Sequence, residues 1–224
     1  MAFLTNIDGR LLKEMIIDGA AMLEHNKAAV DALNVFPVPD GDTGTNMSLT
    51  MMSAVKELSA VDSAEVSVVA AAAARGALKG ARGNSGVILS QLFRGFSEGM
   101  KNLATADAAA FAGALKLGAD RAYKAVMKPR EGTILTVARA VADSAQDFAV
   151  RQTDFSALLP RMIESGNETL KRTPDLLPVL KEAGVRRDQV VYCRVFTTKG
   201  EYWGPINEVY AAFFGAHKPG RLVA

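Results

Sequence analysis

An all-α bundle of eight antiparallel helices is the fold class this sequence predicts, and three observations carry that reading. Apolar residues recur at three- and four-residue steps along most of the chain, the spacing that turns one face of a helix toward a core. Glycine, proline and small polar residues gather in short breaks between those stretches, as helix ends require. No run before Val185 alternates convincingly enough to read as a strand.

With 224 residues, 49% hydrophobic and 22% charged, the chain can bury one substantial core. A formal net charge of +2 with no basic run argues against nucleic acid as a partner. The longest apolar stretch, around Val66 to Ala74, falls well short of a membrane span, so no membrane insertion is expected. The single Cys193 excludes an internal disulfide and a cysteine-rich metal site. No signal-peptide pattern is present, and a cytoplasmic location is expected. A homodimer is compatible with the sequence.

The first helix is predicted from about Asp8 to Leu33, on the stripe Leu12, Met15, Ile16, Gly19, Met22, Leu23, Asn26, Val30 and Leu33. His25 lies near this stripe and reads as a surface or core-edge residue. Pro37 and Pro39 then stop the helix and force an extended arm into Asp40. Gly41 lets the backbone curl so that the Asp40 and Asp42 carboxylates can converge, and Gly44 keeps the next turn clear of a Cβ. Thr43, Thr45 and Asn46 follow at a helix N-terminus, where unpaired N–H groups favour an anion. Acids beside an anion site imply a bridging divalent cation. The plainer alternative is an Asp-Gly turn capping a helix. A calcium loop fails, because its twelfth position from Asp40 is Met51 and not glutamate.

Met47, Met51 and Met52 in the second helix read as packing residues. The third helix, Glu65 to Lys79, is so rich in alanine that it should sit centrally. Gly80-Ala81-Arg82-Gly83-Asn84-Ser85-Gly86 is a second glycine-rich turn, offering Asn84 and Ser85 as donors before a helix over Val87 to Phe96. Close helix packing is its plainer explanation. Walker and protein-kinase motifs are absent. A fifth helix fits Asp107 to Met127. Arg130-Glu131-Gly132-Thr133 forms a third loop, with Thr133 as N-cap or nucleotide contact, before a sixth helix to about Arg151. Asp154 to Arg172 is the seventh, and Thr173-Pro174 is predicted to open a short eighth.

Asn34 to Met47, Gly80 to Gln91 and Lys128 to Leu135 together resemble the DhaL family, named for the ADP-binding L subunit of dihydroxyacetone kinase. The first two stretches are most similar to the N-terminal ATP-binding domain of bacterial fatty acid kinase. The resemblance covers roughly residues 5 to 185 and implies an eight-helix antiparallel barrel holding Mg-ADP or Mg-ATP at one end. It implies that Asp40 and Asp42 are the catalytic acids that ligate a pair of Mg²⁺ ions, with Asn34 standing one position beyond the place of a third aspartate in the dihydroxyacetone kinases. It maps Thr43, Gly44, Thr45, Asn46, Gly83, Asn84, Ser85 and Gly86 onto phosphate-binding turns. Thr133 and Ile134 fall where the family lines the nucleotide, and Thr173 is a further candidate.

Where the family continues past Val185 with an aspartate and glycines that close the site, this chain reads Arg186-Arg187-Asp188-Gln189. Residues 1–185 are therefore expected to form the nucleotide-binding domain and 186–224 an atypical tail. In that tail six Lys/Arg stand against three acids. It reads as a hairpin of Val190 to Phe196 with Glu201 to Trp203, or as disordered, non-native sequence from a shifted frame. The function implied is a Mg-ATP-dependent kinase domain acting on a fatty acid carried by a separate acyl-binding protein. The alternatives are the L subunit of a dihydroxyacetone kinase and a nucleotide-binding module without turnover.

Overall fold

In the computed structural model the described residues are 3–34, 40–176, 192–195 and 220–223. Among them seven helices and four short strands follow in the order β1 (Asn6–Ile7), α1 (Gly9–Ala32), α2 (Thr43–Ser59), α3 (Val66–Lys79), α4 (Gly83–Gly99), β2 (Ala106–Asp107), α5 (Ala108–Ala125), α6 (Ile134–Ala149), α7 (Phe155–Leu176), β3 (Tyr192–Val195) and β4 (Gly220–Val223). The chain divides into two compact units, Met1–Thr173 and Pro174–Ala224.

Local capping explains where four helices of the first unit begin. Asp8 accepts from the Leu11 N–H, Asp107 from Ala110 and Thr133 from Leu135, each from an extended backbone that an N-cap requires. Asp154 does the same for Ser156 and also accepts from Leu4, so one carboxylate starts α7 and ties down the chain's start. The strands before α1 and α5, which alternation does not reveal, pair antiparallel as Asn6 with Asp107 and Ile7 with Ala106. Each has two residues, too few for a periodic signal.

The alanine-rich α3 is central as its composition predicts, with Val66, Val69, Ala70, Ala72, Ala73 and Ala77 all buried. Small side chains let its neighbours approach, and at Gly76 a Cβ would lie 2.5 Å from the Ser53 carbonyl oxygen of α2. The larger residues fill the other side of the core. Phe96, Phe111 and Phe155 stack edge to face at 5.5 and 5.4 Å, bringing α4, α5 and α7 together. Of the predicted α1 stripe Leu12 and Ile16 are buried, joined by Ala20, whereas Met22 and Leu33 are exposed. Past Ala20, α1 meets α2, where Gly44 packs on the Lys27 backbone and the Ser48 hydroxyl donates to Glu24. Met51 is buried and Met52 exposed, so only one of the two is a packing residue; His25 is on the surface.

Two helix boundaries differ from expectation. α4 starts at Gly83 and not at Val87, so the second glycine-rich stretch is itself the first turn of a helix. The predicted break at Thr173-Pro174 is also corrected: α7 runs through it to Leu176. Pro174 has no N–H to give the Leu170 carbonyl four residues back, a loss that normally ends a helix. Thr173 supplies the missing donor, its Oγ1 bonding that same carbonyl at 2.8 Å. The threonine therefore sustains the helix instead of capping a new one.

In the second unit β3 and β4 pair in parallel, Tyr192 opposite Gly220 through Val195 opposite Val223. Glu201 to Trp203, the expected partner of this strand, and the part of the expected eighth helix beyond Leu176 lie outside the described residues, as does His217.

Candidate functional site

Two helix N-termini meet side by side. Gly83 lies against the Asn46 amide and Gly86 against the Thr50 hydroxyl and Asn46 carbonyl, so α2 and α4 run parallel with their first turns in contact. Ser85 Oγ closes the same junction by donating to the Thr43 carbonyl at 3.4 Å. The contact requires glycine: a Cβ on Gly83 or Gly86 would overlap these α2 atoms, and Gly83 also holds a left-handed φ of +57°. Below the junction the buried Thr50 hydroxyl donates to the Asn46 carbonyl at 2.7 Å and accepts from the Arg82 N–H at 3.3 Å. Thr50 thus joins the first-loop helix to the second loop. Sequence reasoning missed it, because a threonine inside an apolar helix carries no local signal.

Parallel N-termini add their positive dipole ends at one place. Neither helix has an acid in its first turn, and no side chain caps α4. Its leading N–H groups, on Gly83, Asn84 and Ser85, have no intrahelical acceptor. Such N–H groups can bind an anion with several oxygens, such as a phosphate chain.

Acids stand at its rim. Gly41 takes φ +65°, curling the chain between Asp40 and Asp42, and both acids are exposed. Asn34 Nδ2 donates to Asp40 Oδ1 at 2.6 Å, so Asn34 stands beside this acid. Asp42 is the N-cap of α2 and its carbonyl accepts from the Asn46 N–H, but its carboxylate takes no capping bond. That role falls to Asp31, whose carboxylate accepts from the Thr45 N–H at 3.0 Å and Oγ1 at 2.7 Å. Asp31 is the second residue that sequence reasoning missed, and here a signal existed. It lies in the last turn of α1, where the helix dipole disfavours an acid.

The third loop is held separately. Glu131 accepts from Thr136 Oγ1 at 2.8 Å, Arg139 Nη2 at 2.8 Å and the Tyr123 hydroxyl at 3.2 Å, and the Arg139 guanidinium lies 4.6 Å from the Tyr123 ring centroid. Burial pushes the Glu131 carboxyl up, yet these hydrogen bonds and the Arg139 charge outweigh it and hold it below the usual range. Thr133 is the N-cap of α6, its hydroxyl donating to the Arg130 carbonyl at 2.8 Å, and Ile134 is the first helical residue. Antiparallel register puts this loop at the junction's end of the bundle: Gly95 of α4 packs on Leu117 and Gly118 of α5, Gln91 bonds Arg121, and Lys116 of α5 bonds Asp143 of α6. Ser165 on Ala140 sets α7 antiparallel to α6, which carries Thr173 toward the same end. No hydrogen bond among the described residues joins Thr133, Ile134 or Thr173 to the first two loops.

Comparison with known proteins identifies a family. The DAK2 domain model matches residues 37–191. The chain belongs to the DAK2-domain family. DAK2 domains are DhaL-like nucleotide-binding modules of the dihydroxyacetone kinase family, and two adjacent helix N-termini suit that chemistry. The chain is 56% identical over 179 residues to Protein YloV of Bacillus subtilis, covering 80% of this chain and 32% of that protein. It is 52% identical over 181 residues to an uncharacterised protein of Staphylococcus saprophyticus, covering 81% and 33%, and 48% identical over 182 residues to one of Staphylococcus epidermidis, covering 81% and 33%. It thus spans about a third of the length of these curated relatives. No helix among the described residues is long and apolar enough to cross a membrane.

The donor set can be tested against Mg²⁺. Among the described residues no group of three or more His, Cys, Asp or Glu is arranged to hold a metal by itself. Mg²⁺, however, is usually held by one or two carboxylates, water and substrate phosphates rather than by an all-protein cage. Two exposed carboxylates at the rim of an anion cradle fit an ion that arrives with a nucleotide.

Proposed function

We propose that this chain is the Mg-ATP-binding domain of a kinase that phosphorylates a fatty acid presented by a separate acyl-binding protein, releasing an acyl phosphate. The observation that carries the reading is the shared N-terminus of α2 and α4 with Asp40 and Asp42 at its rim. In the transfer an acceptor carboxylate oxygen bonds to the terminal phosphorus as the bond to the ADP oxygen breaks, so no protein group needs to bond covalently. The chain's share is position. Backbone N–H groups of α4, with Thr43, Thr45, Asn46, Asn84 and Ser85, bind phosphate oxygens, while Thr133, Ile134 and Thr173 border the nucleotide. Asp40 and Asp42, with Asn34, would hold one or two Mg²⁺ ions, which when bound offset the charge gathering on the phosphates. The domain is taken as residues 1–185, with 186–224 a separate tail. An ATP donor and a single unpaired cysteine suit a cytoplasmic setting, and a homodimer is compatible with the reading.

A second reading, the ADP-binding L subunit of a dihydroxyacetone kinase, is favoured by the family's description as a DAK2 domain. The Pro37–Pro39 arm and Asn34 in place of a nearby aspartate favour the first. Calorimetric titration with ATP or ADP, with and without Mg²⁺, tests what both share. Asp40→Asn and Asp42→Asn should each abolish Mg-dependent binding and leave the far-ultraviolet helical signal intact, since both side chains are exposed and their loss opens no cavity. Unchanged nucleotide affinity in both variants would remove the metal from the site.

A further inference from the structure

We infer that Asp31 is a positioning residue: it caps α2 in place of Asp42 and so keeps the Asp42 carboxylate free to meet a cation. The cation in this statement rests on the proposed function; the exchange of caps does not.

The molecule contains its own controls. Asp8 and Asp107 are acidic N-caps with extended backbones, ψ 178° and 176°, and each accepts from the N–H of the third helical residue. Asp42 holds the same place on α2 but has ψ 4°, and its carboxylate makes no such bond. The third helical residue of α2 is Thr45. Its N–H is taken by Asp31 Oδ1 at 3.0 Å and its hydroxyl donates to Asp31 Oδ2 at 2.7 Å. Both oxygens of an acid on another helix are therefore committed to a duty that the local aspartate performs elsewhere. Had Asp42 capped α2, its carboxylate would be folded over its own helix.

Asp31 also bears a local penalty, because an acid in the last turn of α1 faces the negative end of that helix dipole. Placing it instead on the N-terminus of α2 converts the penalty into a favourable contact. The Gly41 turn runs past the Asp31 carbonyl, about 3.9 Å from where a Cβ on Gly41 would lie, so the turn between Asp40 and Asp42 sits at this end of α1.

The test uses the whole chain as wild type, Asp31→Asn, Asp31→Ala and Asp31→Ala with Asp42→Ala. Amide hydrogen exchange at Thr45 is read without metal or nucleotide. Asp31→Ala is expected to keep Thr45 protected, because Asp42 takes over the cap, and the double variant to lose that protection. Mg²⁺ is then titrated at fixed ADP. Asp31→Ala is expected to raise the Mg²⁺ midpoint about tenfold, the scale seen when a residue supporting a metal ligand is removed. Asp31→Asn, which retains one acceptor for the Thr45 N–H, should recover part of that shift. Equal Thr45 exchange in the single and double variants would overturn the exchange of caps. An unchanged Mg²⁺ midpoint in Asp31→Ala would reduce Asp31 to a tie between two helices. If the wild type shows no Mg-dependent ADP binding, the proposed function fails and the cation leaves this inference with it, while Thr45 exchange still decides the capping.

Discussion

Asn34 and Asp40 show how one atom type changes the character of a loop. An amide donating at 2.6 Å to a carboxylate lets the acid sit at the end of α1 without another negative charge against it. Asn34→Asp would put two carboxylates at that distance. The expected outcome is a protein less stable without metal and with tighter Mg²⁺ binding, because the cation then screens a repulsion that the amide avoids. Thermal unfolding and metal titration of the variant check the two halves separately. A lower melting temperature with unchanged metal affinity would mean that Asn34 orients Asp40 but does not face the ion.

Glu131 gives a pH-dependent counterpart in the third loop. Its carboxyl titrates below the ordinary range when folded, burial being outweighed by hydrogen bonds from Thr136, Arg139 and Tyr123 and by the Arg139 charge. A folded value below the unfolded one means that Glu131 adds stability above the unfolded value of about 4.3, and that the contribution is lost as pH falls through the lower folded value. Glu131→Gln should therefore be less stable at neutral pH and lose less on acidification. Melting temperatures followed from neutral pH into the carboxylate range would show the two curves converge.

Among the elements, the parallel pair α2 and α4 matters most, since parallel helix dipoles repel and must be held by specific contacts. Thr50 supplies them from a fully buried position, bonding Asn46, Arg82 and, at 3.3 Å, the Gly80 carbonyl. Thr50→Val keeps the shape and removes the hydroxyl, leaving the Arg82 N–H without this acceptor. A loss of about 1–3 kcal/mol is expected from denaturant unfolding. Nucleotide affinity should fall as well, because the two first turns are no longer tied. Stability lost at unchanged affinity would show that glycine contacts alone align the helices.

For the whole molecule, the proposed cradle would hold the phosphates, while the proposed acceptor is presented by a separate protein. Phosphoryl transfer draws much of its acceleration from holding the attacking oxygen in line with the phosphorus. Among the described residues the proposed site consists of N–H and side-chain donors for phosphate and of acids. This chain by itself is therefore expected to bind Mg-ATP and release ADP negligibly with free fatty acid, and to turn over when an acyl-loaded carrier protein is added. Steady-state ADP release with each acceptor, with and without Mg²⁺, is the check. Turnover with a dihydroxyacetone-bearing subunit instead would favour the second reading, and none with either would leave a binding module. Brisk Mg-dependent turnover with free fatty acid would show an acceptor site within the chain.

The sequence by itself determined what depends on neighbours a few positions apart. Of the eight helices read from the sequence the described residues contain seven, and Asp8, Asp107, Thr133 and Asp154 marked starts that the structure keeps within about a residue, because capping is a contact between a side chain and N–H groups two or three residues on. The turns at Gly41 and Gly83 were legible too, since a glycine between polar residues accepts the positive φ that both take. Tertiary structure alone decided the rest. That α2 and α4 lie parallel depends on glycines meeting the Asn46 and Thr50 side chains across more than thirty positions of chain, a distance over which no periodicity carries information. Likewise the place of Asp31 in the last turn of α1 marks it only as an acid at the wrong end of a dipole, and folding alone brings Thr45 against it. Even the misplaced break at Thr173 has this origin: proline's missing N–H ends a helix by local rules, and it took the threonine's hydroxyl, turned back to Leu170, to carry α7 through.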